Sequence, residues 1–72
     1  MTRRYLIVVE KADGNYSAYS PDIPGCVAVG DTQKELLRNM REAIEFHVQS
    51  LIEDKLPVPK PRTKAEYIAL EA

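Results

Sequence analysis

The sequence predicts an α+β domain of order β-β-β-α-β. Three observations carry this. The first thirty residues hold short aromatic and β-branched segments separated by turn signals. At Thr32 the apolar period changes to that of a helix and keeps it for roughly six turns. A run of three prolines follows, and beyond it a second short alternating segment. The pattern reads as an antiparallel three-strand meander, one long helix on one sheet face, and a last strand brought back parallel to the first by a right-handed crossover.

Tyr5 to Glu10 (YLIVVE) forms the first predicted strand, and its nearly unbroken apolar run suits a central position. Asp13-Gly14-Asn15 supplies the turn. Tyr16 to Ser20 (YSAYS) alternates, with Tyr16 and Ala18 on one face and Ser17 and Tyr19 on the other. Cys26 to Val29 is a short third strand. Thr32-Gln33-Lys34-Glu35 matches a capping box, in which the Thr32 hydroxyl accepts the Glu35 N–H and the Glu35 carboxylate reaches back to the Thr32 N–H. Asp31 places negative charge near the same helix end. The helix is expected from Gln33 to Asp54, with Leu37, Met40, Ile44, Val48 and Leu51 as its apolar stripe, Leu36, Ala43, His47 and Ile52 flanking it, and Phe46 nearly opposite. The prolines of PVPKPR end it and favour an extended path. The alternation of Tyr67, Ala69 and Glu71 with Ile68 and Leu70 suits either a strand or one to two helical turns; a strand can join the sheet edge and is preferred.

The whole chain, residues 1–72, reads as one domain. A domain of this size buries only about 60–65% of the surface its unfolded chain exposes, so help from a partner or a second copy is expected. Ten Lys and Arg stand against eleven Asp and Glu, a formal net charge of −1, which lacks the basic excess of a nucleic-acid binder. The apolar run near the N-terminus is too short for a signal core or a membrane span, and a single cysteine forms no internal disulfide; a cytoplasmic protein is expected.

No reactive constellation emerges. Cys26 has no basic neighbour in sequence and reads as a small buried hydrophobe rather than a thiolate nucleophile. His47, the one histidine, lacks convergent partners for catalysis or metal binding. A metal-dependent nuclease needs several carboxylates gathered at strand ends; Asp22 and Asp31 are explained by turn and capping roles, and Glu10 stands at the very end of its strand. Gly14, Gly25 and Gly30 lack the spacing of a nucleotide-binding loop. Lys60, Arg62 and Lys64 read as a solvated connector, and Arg38–Glu42 and Arg41–Glu45 as helix-surface pairs. Catalytic, cofactor-binding and metal-ligating residues are all expected to be absent. In SPDIPGCVAVGDT, Pro21 and Pro24 fix φ, Gly25 permits a sharp reversal and Cys26 enters the next strand.

Read together, Asp13-Gly14, Tyr16-x-Ala18-Tyr19, Pro21-Asp22-x-Pro24-Gly25-Cys26, Gly30-Asp31-Thr32-x-x-Glu35 and Ala43-Ile44 resemble the HicB-like antitoxin family, from about Leu6 to Pro59. The resemblance implies a partial RNase H-like fold without nuclease activity. It also implies the antitoxin role of a type II toxin–antitoxin pair. The implied partner is a small HicA-like toxin of double-stranded-RNA-binding-domain type that cleaves mRNA with a histidine. Many family members continue into a DNA-binding domain; the short segment after the prolines is too small for one, so no direct DNA binding is expected. The alternative reading is a stand-alone homo-oligomeric domain of unknown cellular role with no toxin partner. A homodimer or a higher homo-oligomer is expected. Tyr19, on the sheet face left without a helix, and Phe46, on the outer side of the helix, are the candidate partner contacts.

Overall fold

A computed structural model describes residues 3–71 of the chain. Strands β1 (Val8–Ala12), β2 (Asn15–Tyr19) and β3 (Val27–Gly30) form one antiparallel sheet in the order β1-β2-β3, followed by helix α1 (Gln33–Glu53). Met1, Thr2 and Ala72, which the expected domain of residues 1–72 includes, lie outside the described residues.

Each strand is displaced by a residue or more from its predicted position, for reasons the register makes plain. Ala12 pairs with Asn15, so Asp13-Gly14 is a two-residue hairpin loop that draws Lys11 and Ala12 into the ladder. At the other end Val8 pairs with Tyr19, and the chain leaves the ladder at Ser20. Residues 5–7 are therefore left without a strand partner on that side, and the first strand begins at Val8 rather than Tyr5. The third begins at Val27 because the Cys26 backbone is engaged in the loop: its N–H donates to the Ile23 carbonyl and its carbonyl accepts from Ser20 N–H.

The two sheet faces differ as expected. Ala18 stands opposite Val9 and Ala28, and Tyr16 shares that face, which packs toward α1. Tyr19, Val27 and Val29 lie on the other face and are exposed. The core is small: Ala18, Ile23, Cys26, Leu36 and Met40, with Tyr5, Ile7, Tyr16, Ala28, Ala43, Ile44 and Val48 packed against it. The end of β3 meets the start of α1 at Gly30, where a β-carbon would come within 2.6 Å of the Leu36 amide nitrogen. Only glycine permits that approach.

Helix α1 starts as predicted. Thr32 is the N-cap in extended backbone, and its hydroxyl accepts from Glu35 N–H at 3.1 Å. The reciprocal half differs by one residue: the Glu35 carboxylate takes the Asp31 N–H, at 3.5 Å, rather than that of Thr32. At the far end Lys55 adopts a left-handed conformation, φ 58°. Its N–H donates to Ile52 and that of Leu56 to Leu51, a Schellman motif without the usual glycine.

The helix face is rotated from the predicted stripe. Leu36 and Met40 are the buried pair, whereas Leu37, placed in the stripe by its spacing, is 46% exposed. The cause is the sheet. Helix α1 packs chiefly against β3 and to a lesser degree β2, and does not closely approach β1. The side of the helix that carries Leu37 has no strand above it. The expected last strand does not form among the described residues: residues 57–71 carry neither strand nor helix. Their length explains a radius of gyration of 14.1 Å, against about 11 Å for a compact chain of this size.

Candidate functional site

The loop between β2 and β3 is closed at its base by the pair Ser20 and Cys26. Ser20 N–H donates to the Cys26 carbonyl and Ile23 N–H to the Ser20 carbonyl, both at 3.2 Å. The buried Ser20 hydroxyl donates to the Leu6 carbonyl at 3.1 Å and ties the loop to the N-terminal segment. Gly25, at φ +81°, makes the reversal that an L side chain resists. Between the two prolines Ile23 turns inward and is fully buried. Pro21, Pro24 and Gly25 lie outward on the surface of this loop. Cys26 sits in the core among Ala18, Ile23, Leu36 and Met40, and burial pushes its thiol pKa up. That direction disfavours the thiolate on which cysteine chemistry depends.

Asp22 has a role that its turn position did not suggest. One carboxylate oxygen accepts from the backbone N–H of Arg62 at 2.9 Å and of Thr63 at 3.0 Å; the other accepts the Thr63 hydroxyl at 2.6 Å. These hydrogen bonds, led by the Thr63 hydroxyl and reinforced by the Arg62 charge, hold its carboxyl below the usual aspartate range. A second tether lies nearby, where the Tyr5 hydroxyl donates to the Pro59 carbonyl at 2.6 Å. A further contact without a sequence signal is Asn39, whose side-chain amide donates to the Val29 carbonyl at 2.9 Å and fixes α1 to β3. All three join positions far apart in sequence, and no local pattern announces them.

The two candidate contact residues lie on different surfaces. Phe46 is 77% exposed on the outer side of α1, with Glu42 one turn before it and Gln49 nearly one turn after it. Tyr19 lies with Val27 and Val29 on the uncovered sheet face. His47 is half-buried beside Phe46. Among the described residues no group of three or more His, Cys, Asp or Glu converges to hold a metal, and no helix is long and apolar enough to cross a membrane. A third feature is an open groove of roughly 1100 Å³ between the N-terminal segment and α1, floored by Tyr5, Ile7, Leu37, Met40, Ile44 and Val48.

This is the class of small α+β protein whose notable features are surfaces: a bare sheet face, an exposed aromatic and a groove. The chain belongs to the HicB-like antitoxin family, since the family model described as HicB_like antitoxin of bacterial toxin-antitoxin system matches residues 5–71. Among curated proteins it is 41% identical over 64 residues to an uncharacterized 14.9 kDa protein of Haemophilus phage HP1, covering 89% of this chain and 48% of that one. The chain thus spans about half the length of its phage relative. It is 46% identical over 57 residues to a UPF0150 protein of Synechocystis sp., covering 78% of this chain and 72% of that protein. A UPF0150 protein of Thermoplasma acidophilum is 37% identical over 70 residues, covering 96% and 99%. Among solved structures, a chain of the "HicA3 and HicB3 toxin-antitoxin complex" superposes with a TM-score of 0.71 at 32% identity, covering 83% of this chain and 70% of that one.

Proposed function

We propose that this protein is a non-catalytic antitoxin that binds and neutralises a small HicA-like, mRNA-cleaving toxin. The observation that carries the reading is the likeness, over 83% of the chain, to a chain of a toxin–antitoxin complex. The helix surface supports it. A protein that binds RNA carries positive charge to meet phosphates. Phe46 is exposed with Glu42 one turn before it and Glu53 two turns after it along the helix, an aromatic anchor with carboxylates on the same side suited to a basic partner. The fold in this reading is the partial RNase H-like one, with no direct DNA contact and a cytoplasmic location.

The experiment looks for a small basic protein encoded beside this chain and expresses it alone and then together with it; the lack of such a neighbour favours the alternative. Growth arrest by the neighbour alone, relieved on co-expression and restored when Phe46→Ala replaces the native chain, is the expected outcome. Arrest that co-expression leaves unchanged overturns the reading and returns the alternative, a self-associating domain without a toxin.

A further inference from the structure

The groove between α1 and the segment that leads into β1, residues 3–7, and the C-terminal tail are two unsatisfied halves. Strand β1 is an edge strand, paired with β2 alone, and residues 3–7 before it are in no strand. Below this edge the helix leaves Leu37 exposed over the groove floor. The tail beyond Thr63 has the opposite property. Tyr67, Ile68 and Leu70 are almost entirely exposed, on a stretch with period-two alternation and no cover of its own. Six residues from Ala65 to Leu70 span about 20 Å as a strand. The groove runs along α1 from Leu37 to Gln49, about 18 Å at helical rise.

We infer that the groove is filled by the tail of a second copy of this chain, which adds a fourth strand at the β1 edge, and that two copies exchange tails reciprocally. Charge selects this occupant. The groove is rimmed by Arg3, Arg38 and Arg41 against the single carboxylate of Glu45. As a strand, the tail puts Glu66, Ile68 and Leu70 on one face, so that two apolar side chains meet the groove floor and a carboxylate meets the arginine rim. A basic protein partner is repelled by the same rim. The chain's own tail is held at Asp22 through Arg62 and Thr63 and extends into solvent, leaving its own groove open. Exchange covers both exposed surfaces with one contact, pairs the free strand edge, and closes with the two-fold symmetry commonest in small assemblies. Glu45 and Gln49 border both the groove and Phe46, so the two surfaces adjoin; the growth assay with Phe46→Ala tests the toxin reading, and the mass of the chain by itself tests this one.

Sedimentation equilibrium of the full chain and of an Ile68→Glu, Leu70→Glu variant tests it. The native protein is expected at twice its 8.1 kDa mass at micromolar concentration. The variant, with an unchanged circular dichroism spectrum because both side chains are exposed in the single chain, is expected to dissociate on the order of 100-fold more readily. A second measurement separates exchange from other dimers. A Leu37→Cys chain mixed with a Leu70→Cys chain is expected to form a disulfide-linked heterodimer, and the two substitutions on one chain to give covalent dimers. A native monomer across the accessible range, a dimer indifferent to the double substitution, or a monomeric intrachain disulfide in the doubly substituted chain each overturns the inference.

Discussion

The β2–β3 loop and the C-terminal tail are both built around proline, and they end as opposite kinds of structure. Pro21 and Pro24 flank Ile23, which is 0% exposed, in a loop closed by three short-range backbone hydrogen bonds and by the Ser20 hydroxyl bond to Leu6 in the N-terminal segment. Pro57, Pro59 and Pro61 precede Ile68, which is 85% exposed on a segment whose hydrogen bonds to the rest of the described residues are at Pro59, Arg62 and Thr63. Proline fixes φ in both. What differs is whether the chain around it finds partners for its backbone and a place to bury its apolar side chains. Composition alone does not separate an ordered loop from an exposed arm; the local return of the chain does.

The two isoleucines give the largest expected difference. Ile23→Ala removes a fully buried side chain and is expected to cost about 2–5 kcal/mol in denaturant unfolding. Ile68→Ala, measured at a dilution where the chain is monomeric, is expected to change stability by less than about 0.5 kcal/mol. Comparable losses at the two sites break the contrast.

A smaller effect tests whether the loop is purely structural. Cys26→Ala removes one sulfur from the core and is expected to cost on the order of 1 kcal/mol, with partner binding retained. A variant of native stability that no longer binds places the thiol itself in function.

The smallest effect belongs to the join between the two regions. Because hydrogen bonding lowers the Asp22 pKa, the folded state favours the carboxylate. The contribution of the tether is present above the ordinary aspartate value of 3.8 and is lost as pH falls below it through the depressed value. Hydrogen exchange at the Thr63 amide is expected to be slow and steady from neutral pH down to about 4, after allowance for its intrinsic rate, and to lose protection below that. Asp22→Ala is expected to abolish the protection at every pH and leave the unfolding midpoint in place. A Thr63 amide equally protected in the variant removes Asp22 as the anchor.

Most of the fold is legible in the sequence because its determinants are local. The Asp13-Gly14 hairpin, the Thr32 cap and the helical period of α1 each lie within a few residues of what they specify. The face of the helix was harder to read. The stripe through Leu37 is genuine in spacing, but burial depends on which strands lie above it, and β1 lies too far to one side. The Asp22 tether was illegible for a related reason: a turn aspartate with a local explanation gives no sign of donors 40 and 41 residues away. Within the candidate site, the exposure of Phe46 and Tyr19 followed from periodicity alone. The groove did not, since it exists only because the chain does not supply its own fourth strand.

The bond from Tyr5 to Pro59 spans 54 positions, and that distance fixes when it can form. Closing a loop of that length costs about 2 kcal/mol more than closing a six-residue one. A single hydrogen bond contributes about 1 kcal/mol net and cannot meet that cost alone. The contact must wait until the meander and the helix, assembled through near neighbours, have already brought the ends of the chain together. The tail is then expected to dock last in refolding and to detach first in a native fluctuation.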